Sequence, residues 1–226
     1  MVAKRRKSVQ LRVTEEMENS NLLIIFTRNP ELGKCKTRLA TKVGDEAALN
    51  IYTFLLEHTA AITKDLAVEK QVHYSVKIRE NDLWDGSIYS KKQQEGPDLG
   101  LRMLHAFEQG FEQAYKNIII IGSDMFDMNQ TDIEAAFEAL NRSNFVIGPA
   151  TDGGYYLLGM SILKPALFHA KAWGTSSVLK DTLADLQGET VAQLAAKNDV
   201  DYYEDIKDET AFQPFLKNIT KNEEIH

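Results

Sequence analysis

Arg28, Lys34, Lys36 and Arg38 fall within eleven residues of a chain whose formal net charge is -7, and Glu31 is the only acid among them. Cations gathered against an acidic background suit phosphate oxygens, most simply those of a small polyphosphate. The run that feeds this loop, Leu22 to Phe26, is continuous Leu, Ile and Phe, the pattern of a strand buried on both faces. Ligands of open α/β sheets sit beyond the carboxyl ends of such strands. Asn29, Pro30 and Gly33 supply the turn, since Pro fixes φ and Gly accepts backbone conformations closed to other residues. Arg28, Gly33, Lys36 and Arg38 are the expected phosphate contacts; the bland alternative is a solvated basic loop.

A second apolar run, Ile118 to Ile121, ends in Gly122, Ser123 and Asp124, which sets a carboxylate where an active-site metal ligand belongs. Asp127 lies three residues further and reads equally as a turn residue. Asp199 and Asp201 share one side of an extended segment. With Asp124 they would enclose Mg²⁺ or Mn²⁺, hard ions that neutralise charge on an attacked phosphorus or a departing diphosphate. Lys36 and the two arginines would share that task, which makes Asp124 and Lys36 the expected catalytic pair. Taken alone, Asp199 and Asp201 are more simply a solvated acidic pair.

Asp152, Gly153 and Gly154 form a third cluster, in which adjacent glycines bare the backbone where an acceptor could pack. Asp-Gly is also a strong hairpin signal, and the two readings are compatible. Trp173 to Ser177 reads as a turn into a helix, either an anion site or an ordinary Ser/Thr cap. Cys35, the single cysteine, has no His partner nearby in sequence and reads as incidental to the loop. The five histidines show no HExxH spacing and no serine sits in G-x-S-x-G, so zinc and α/β-hydrolase signatures are missing. A P-loop fails as well, because Arg28 and Cys35 stand where that motif needs Gly and Ser or Thr.

These residues need a scaffold. Ala48, Tyr52, Leu55, Thr59, Ile62 and Leu66 recur at helical spacing behind Asp45 as N-cap. A strand is expected over Val72 to Ile78, then a polar stretch to Gln94 and Gly96, a plausible nucleotide-facing loop. Leu101, Leu104, Phe107, Phe111 and Tyr115 predict a helix from about Asp98, and Thr131 with Glu134 a capping box for the helix carrying Ile133, Phe137 and Leu140. Strands at Phe145 to Ile147 and Tyr155 to Met160 are joined closely and hence antiparallel, and a helix follows over Thr175 to Leu186. The alternation predicts a mainly parallel sheet with helices on both faces.

The 226 residues and 43% hydrophobic content allow one domain over residues 21–226, behind a flexible basic tail at 1–20 that lacks the apolar core of a secretory signal. No apolar run nears the ~20 residues of a membrane-spanning helix, so no integral membrane association is expected. The acidic balance argues against nucleic acid. A lone cysteine fits a reducing cytoplasm.

In order, FTRNPELGKCKTRL, QQEGPDLGLRM, IIIIGSDMF, VIGPATDGGYYLLGM, WGTSSVL and DVDYYEDI resemble a bacterial nucleotide-diphospho-sugar transferase-like family over roughly residues 22–206. That family is similar to 2-phospho-L-lactate guanylyltransferase and, more distantly, to the molybdenum cofactor guanylyltransferase. The resemblance implies a glycosyltransferase A fold, a three-layer α/β/α sandwich, and a metal-dependent glycosyl or nucleotidyl transferase acting on a small acceptor. It implies Arg28, Lys36 and Arg38 on phosphate, Gln94 and Gly96 near the nucleotide, Asp152, Gly153 and Gly154 on the acceptor side, and Asp124, Asp199 and Asp201 on metal. Met125 and Phe126 stand where a Pro is expected, and Tyr202 and Tyr203 replace an expected Thr-Pro. A nucleotide-binding module that has lost its chemistry is the alternative. Base, sugar, acceptor and oligomeric state are not written in these motifs.

Overall fold

The computed structural model describes residues 20–216. The expected basic tail therefore lies outside the described residues, apart from Ser20. Side chains of a strand alternate in direction, and both faces of the first strand are covered. Leu23 and Ile25 pack with Ile119, Ile121 and Val146, while Leu22 and Ile24 pack with Ile118, Ile120 and Phe145. Burial on both sides is why these runs read as continuous rather than alternating.

The first strand, β1 (Asn21–Thr27), lies parallel to both β2 (Glu69–Tyr74) and β4 (Asn117–Gly122). With β3 (Ser90–Gln93), β5 (Phe145–Pro149), β6 (Tyr155–Met160) and β7 (Val191–Gln193), the sheet order is β3-β2-β1-β4-β6-β5-β7. β6 is antiparallel to β4 and β5, as the close junction predicts, and the other named pairings are parallel. The helices are α1 (Thr37–Val43), α2 (Asp45–Thr63), α3 (Leu99–Glu112), α4 (Gln130–Leu140), α5 (Val178–Asp185) and α6 (Gln213–Leu216). Tyr52 and Leu56 of α2 and Ile133 and Phe137 of α4 cover one face. Met103, Leu104 and Phe107 of α3, with Leu179 and Leu183 of α5, cover the other. The three-layer α/β/α sandwich is thus built as expected.

From β1 the chain lays β2 and β3 to one side and β4 to the other, so the carboxyl ends of β1 and β4 flank the topological switch point where ligands of such sheets bind. A third cluster fixes the C-terminal segment beside that crevice. Leu39, Ile51 and Leu55 of α1 and α2 bury Val200, Ile206, Phe212 and Leu216. Among the described residues, no helix is long and apolar enough to cross a membrane.

Several boundaries differ from the sequence reading. β2 spans Glu69–Tyr74 rather than Val72 to Ile78, because Lys77 is captured by the Asn29 side chain instead of a strand. α2 ends at Thr63, short of Leu66, and Asp45 is its first residue, with Gly44 at the cap separating it from α1. The capping box is formed by Asn129 and Asp132 and not by Thr131 and Glu134. α5 begins at Val178, three residues after Thr175.

Candidate active site

The loop leaving β1 is held from behind. The Ser123 hydroxyl donates to Thr27 Oγ1 at 3.1 Å, tying the end of β4 to the end of β1. The buried Tyr52 hydroxyl accepts from Arg28 N and donates to Arg28 O, each at 3.0 Å, so both backbone groups of Arg28 are clamped. Burial, and after it Asp124, raises the Tyr52 pKa and keeps the phenol protonated. Asn29, buried, donates to Lys77 O at 2.8 Å and accepts from Lys77 N at 3.0 Å. Cys35 is also buried; its thiol donates to Asn29 O and its sulfur accepts from Glu31 N, a turn contact that accounts for it without chemistry. Sequence reasoning took Tyr52 only as a core residue. A phenol on a largely aliphatic helix face, which needs a partner when buried, was the available signal.

Lys36 stands at the centre. Its φ of 47° and ψ of 48° are left-handed, unusual for a residue with a Cβ, and this turns the chain into α1 while sending the side chain inward. Its side chain is 5% exposed, and the ammonium lies 2.7 Å from Asp124 Oδ2 and 3.2 Å from Asp201 Oδ1. Burial disfavours its charge, but Asp124 and then Asp201 outweigh burial and hold its pKa above the ordinary lysine range. Arg38 Nη1 reaches Asp201 Oδ2 at 3.1 Å, and its guanidinium lies over the Tyr202 ring, 5.7 Å from the centroid. Lys34 pairs with Glu31 at 2.9 Å, whereas the exposed Arg28 side chain makes no ion pair among the described residues.

The carboxylates arrive from two elements. Asp124 leaves β4; Asp201 is set by Val200 and Ile206, buried on either side of it, and by Asp205. Asp205 Oδ2 accepts from Asp201 N at 2.9 Å and from Tyr202 N at 2.6 Å, and Oδ1 accepts from Asn198 Nδ2 at 3.0 Å. Asp205 went unremarked in the sequence reading. Burial, then Asp152 and Asp201, pushes the Asp199 carboxyl up to about 6. The expected three-aspartate metal set is not gathered: both Asp201 oxygens are engaged by Lys36 and Arg38, and among the described residues no three His, Cys, Asp or Glu side chains come together for an ion. Asp124 and Asp199 do face one cavity. Two carboxylates suit Mg²⁺ or Mn²⁺ when substrate phosphates supply further oxygens. Asp127 accepts from Asn198 N at 3.3 Å and lines neither cavity, which favours its structural reading.

Two cavities meet at Asp124. One, about 410 Å³, is lined by Arg28, Gly33, Lys34, Lys36, Arg38, Tyr52 and Asp201, bringing the predicted phosphate contacts together. The other contains Asp152 and Gly154 with Asp199. Gly153 sits behind its wall at φ +92°, where an added Cβ would lie 2.3 Å from Ser176 O. The DGG segment is both the β5–β6 turn and a cavity edge, with Asp152 Oδ1 accepting from Gly154 N at 2.8 Å. Gln94 and Gly96 line neither cavity: the Gln94 amide donates to Thr27 O and His73 O, and Gly96 O accepts from Arg102 Nε. Ser177 makes no side-chain cap on α5; it donates to Asp181 Oδ2 instead. The unexpected neighbours of the aspartates are absorbed by packing. Met125 is buried, Phe126 packs on Phe54 and Phe212, and Tyr202 supports Arg38.

Among solved structures, a protein provisionally described as a nucleotide-diphospho-sugar transferase from Desulfovibrio desulfuricans G20 matches with a TM-score of 0.79 and 26% identity, over 90% of this chain and 98% of that one. The 4-diphosphocytidyl-2C-methyl-D-erythritol synthase of Anaerococcus prevotii shares the fold, with a TM-score of 0.55 and 10% identity over 88% of this chain and 97% of that one. The inositol-1-phosphate CTP transferase of T. maritima does so at 0.51 and 12%, over 89% and 96%. No curated protein sequence matches. The fold is nucleotide-diphospho-sugar transferase-like, and because the sequence model of DUF2064, described as an uncharacterized protein conserved in bacteria, matches residues 56–175, the chain belongs to the DUF2064 family.

Proposed function

We propose that the protein is a transferase that takes a nucleoside triphosphate or a nucleotide-sugar as donor and passes a nucleotidyl or glycosyl group to a small acceptor. The observation that carries this reading is the position of Asp124, shared by a cationic cavity on one side and the Asp152–Gly154 cavity on the other. The likeness to the D. desulfuricans protein supports the same class.

Donor phosphates lie among Arg28, Lys36 and Arg38. Arg28 supplies an uncommitted guanidinium suited to bidentate phosphate contact, on a backbone that Tyr52 already holds in place. The Lys36 ammonium is preorganised and screened from water, so it stabilises charge developing on a leaving diphosphate without reorganising. Asp124 and Asp199 would hold Mg²⁺ or Mn²⁺, whose chemistry is to neutralise phosphate oxygens. The acceptor enters from the Asp152 side, so the leaving group departs toward the cations and the two do not compete for space. The lone, buried thiol of Cys35 suits a cytoplasmic protein.

The test is a calorimetric panel of GTP, CTP, UTP, ATP and nucleotide-sugars, each with and without Mg²⁺ or Mn²⁺. Metal-dependent binding of one nucleotide, weakened at least tenfold by Arg28→Ala, supports the reading. Absence of binding across the panel overturns it, and binding without turnover on any acceptor returns the module that has lost its chemistry.

A further inference from the structure

The cavity beyond Asp124 has a volume of about 260 Å³ and apolar walls, among them Phe26, Met103, Tyr155, Trp173 and Val178. Leu99, an exposed large apolar side chain, also lines it. Trp173 closes onto the start of α3 because Gly100 has no side chain; a Cβ there would lie 2.5 Å from the indole Nε1. The charged residues in the lining are Asp124, Asp152 and Asp199, and no Lys, Arg or His appears among them. The donor cleft on the other side of Asp124 has the opposite character, with Arg28, Lys34, Lys36 and Arg38.

From this contrast we propose that the cavity is the acceptor subsite and that it admits a hydroxyl-bearing molecule with an apolar body and no anionic group. The assignment rests on the transferase reading for the word acceptor. An anion entering here would leave water for apolar walls and meet Asp152 and Asp199, with no cation in the lining to compensate it, while Asp124 is already paired with Lys36. A divalent ion held by Asp124 and Asp199 would offset their two charges but leave Asp152, which makes no ion pair among the described residues, facing the entering anion. The same walls favour an apolar ring or chain, with the hydroxyl left at the polar edge facing Asp124 and the donor. The arrangement selects by exclusion: phosphorylated and carboxylated compounds are directed to the cationic cleft, where they compete with the donor instead of serving as acceptors.

The experiment uses three probes with the same apolar body and different charge: cyclohexylmethanol, cyclohexylmethylammonium and cyclohexanecarboxylate. Trp84 is buried elsewhere against Tyr89, so Trp84→Phe leaves Trp173 as the single indole reporter. The alcohol and the ammonium are expected to shift Trp173 emission saturably at neutral pH, with the carboxylate at least tenfold weaker. Asp152→Asn is expected to narrow that gap to under threefold. If Trp84→Phe does not fold, saturation-transfer NMR on the unaltered protein ranks the same probes. A carboxylate that binds as well as the alcohol, no saturable binding by any probe, or loss of alcohol binding on adding nucleotide alone would each overturn the proposal. Nucleotide binding is measured separately by calorimetry. Retained nucleotide binding with no binding of the alcohol or ammonium discards the acceptor assignment alone, whereas loss of nucleotide binding discards the transferase reading.

Discussion

Lys36 Nζ lies 2.7 Å from Asp124 Oδ2, although one residue follows β1 and the other follows β4. The pair spans the crevice at the sheet's switch point, so the two loops that must cooperate in any chemistry are joined by opposite charges. With Asp201 Oδ1 at 3.2 Å, the ammonium has a carboxylate on each of two elements.

The backbone at Lys36 is expected to be strained by its left-handed φ of 47°. Lys36→Ala and Lys36→Gly both remove the ammonium and are expected to lower turnover on the order of 100-fold or more. They should differ in stability. Gly escapes the left-handed penalty but gains entropy when unfolded, leaving Lys36→Gly ahead by about 0.5–1 kcal/mol. Urea denaturation reads the difference, and equal midpoints would mean that the position carries no strain.

Tyr52→Phe keeps the ring in its core and removes both bonds to the Arg28 backbone. A stability loss of about 1–2 kcal/mol is expected. Nucleotide dissociation constants should rise roughly tenfold, because Arg28 is no longer held in position. Calorimetry on the folded variant checks this; unchanged affinity would reduce Tyr52 to a packing residue.

At Gly153 an added methyl has no space, with Ser176 O only 2.3 Å from an ideal Cβ, and φ is +92°. Gly153→Ala is expected to cost about 2–4 kcal/mol and to shift the β5–β6 turn away from α5. Thermal denaturation gives the first quantity. An unaltered melting temperature would mean that the turn yields freely.

His73 is buried, donates a 3.0 Å hydrogen bond from Nε2 to Gln71 Oε1, and stacks on Phe26. Burial, and then Lys92, pushes its pKa down to about 3, whereas an unfolded histidine titrates near its ordinary value of 6.5. Between those values the unfolded chain binds a proton that the folded one refuses. The contribution is therefore complete above about pH 6.5 and falls toward pH 3, by up to about 1.4 kcal/mol per pH unit. His73→Gln should flatten this slope when unfolding is measured from pH 7 to pH 4. Parallel slopes in the two proteins would show that His73 is not held neutral.

The parts legible from sequence were those with strong local signals. β1 and β4 declare themselves as unbroken aliphatic runs, and α3 shows its apolar stripe together with Asp98, whose side chain does accept from Leu101 N. β3 reads Ser-Lys-Lys-Gln and β7 has three residues, so neither carries an apolar signature, and their places come from pairing with β2 and β5. In the candidate site, residue types singled out Lys36, Asp124 and Asp201 but not the contacts among them. The Lys36–Asp201 contact joins residues 165 apart, and no periodicity shows that the acid spends both oxygens on neighbouring cations. Gln94 was assigned by its loop, whereas its amide has two backbone carbonyls to satisfy.

The docking of Val200 and Ile206 against α1 and α2 also sets an order of assembly during synthesis. The ribosome delivers Lys36 165 residues before Asp201, and chains begin to organise from the end made first. Lys36 is therefore made well before the second of its two acidic partners. The finished cleft cannot form until the 200–216 segment emerges and packs against α1 and α2, so the cleft is completed after its central sheet rather than with it.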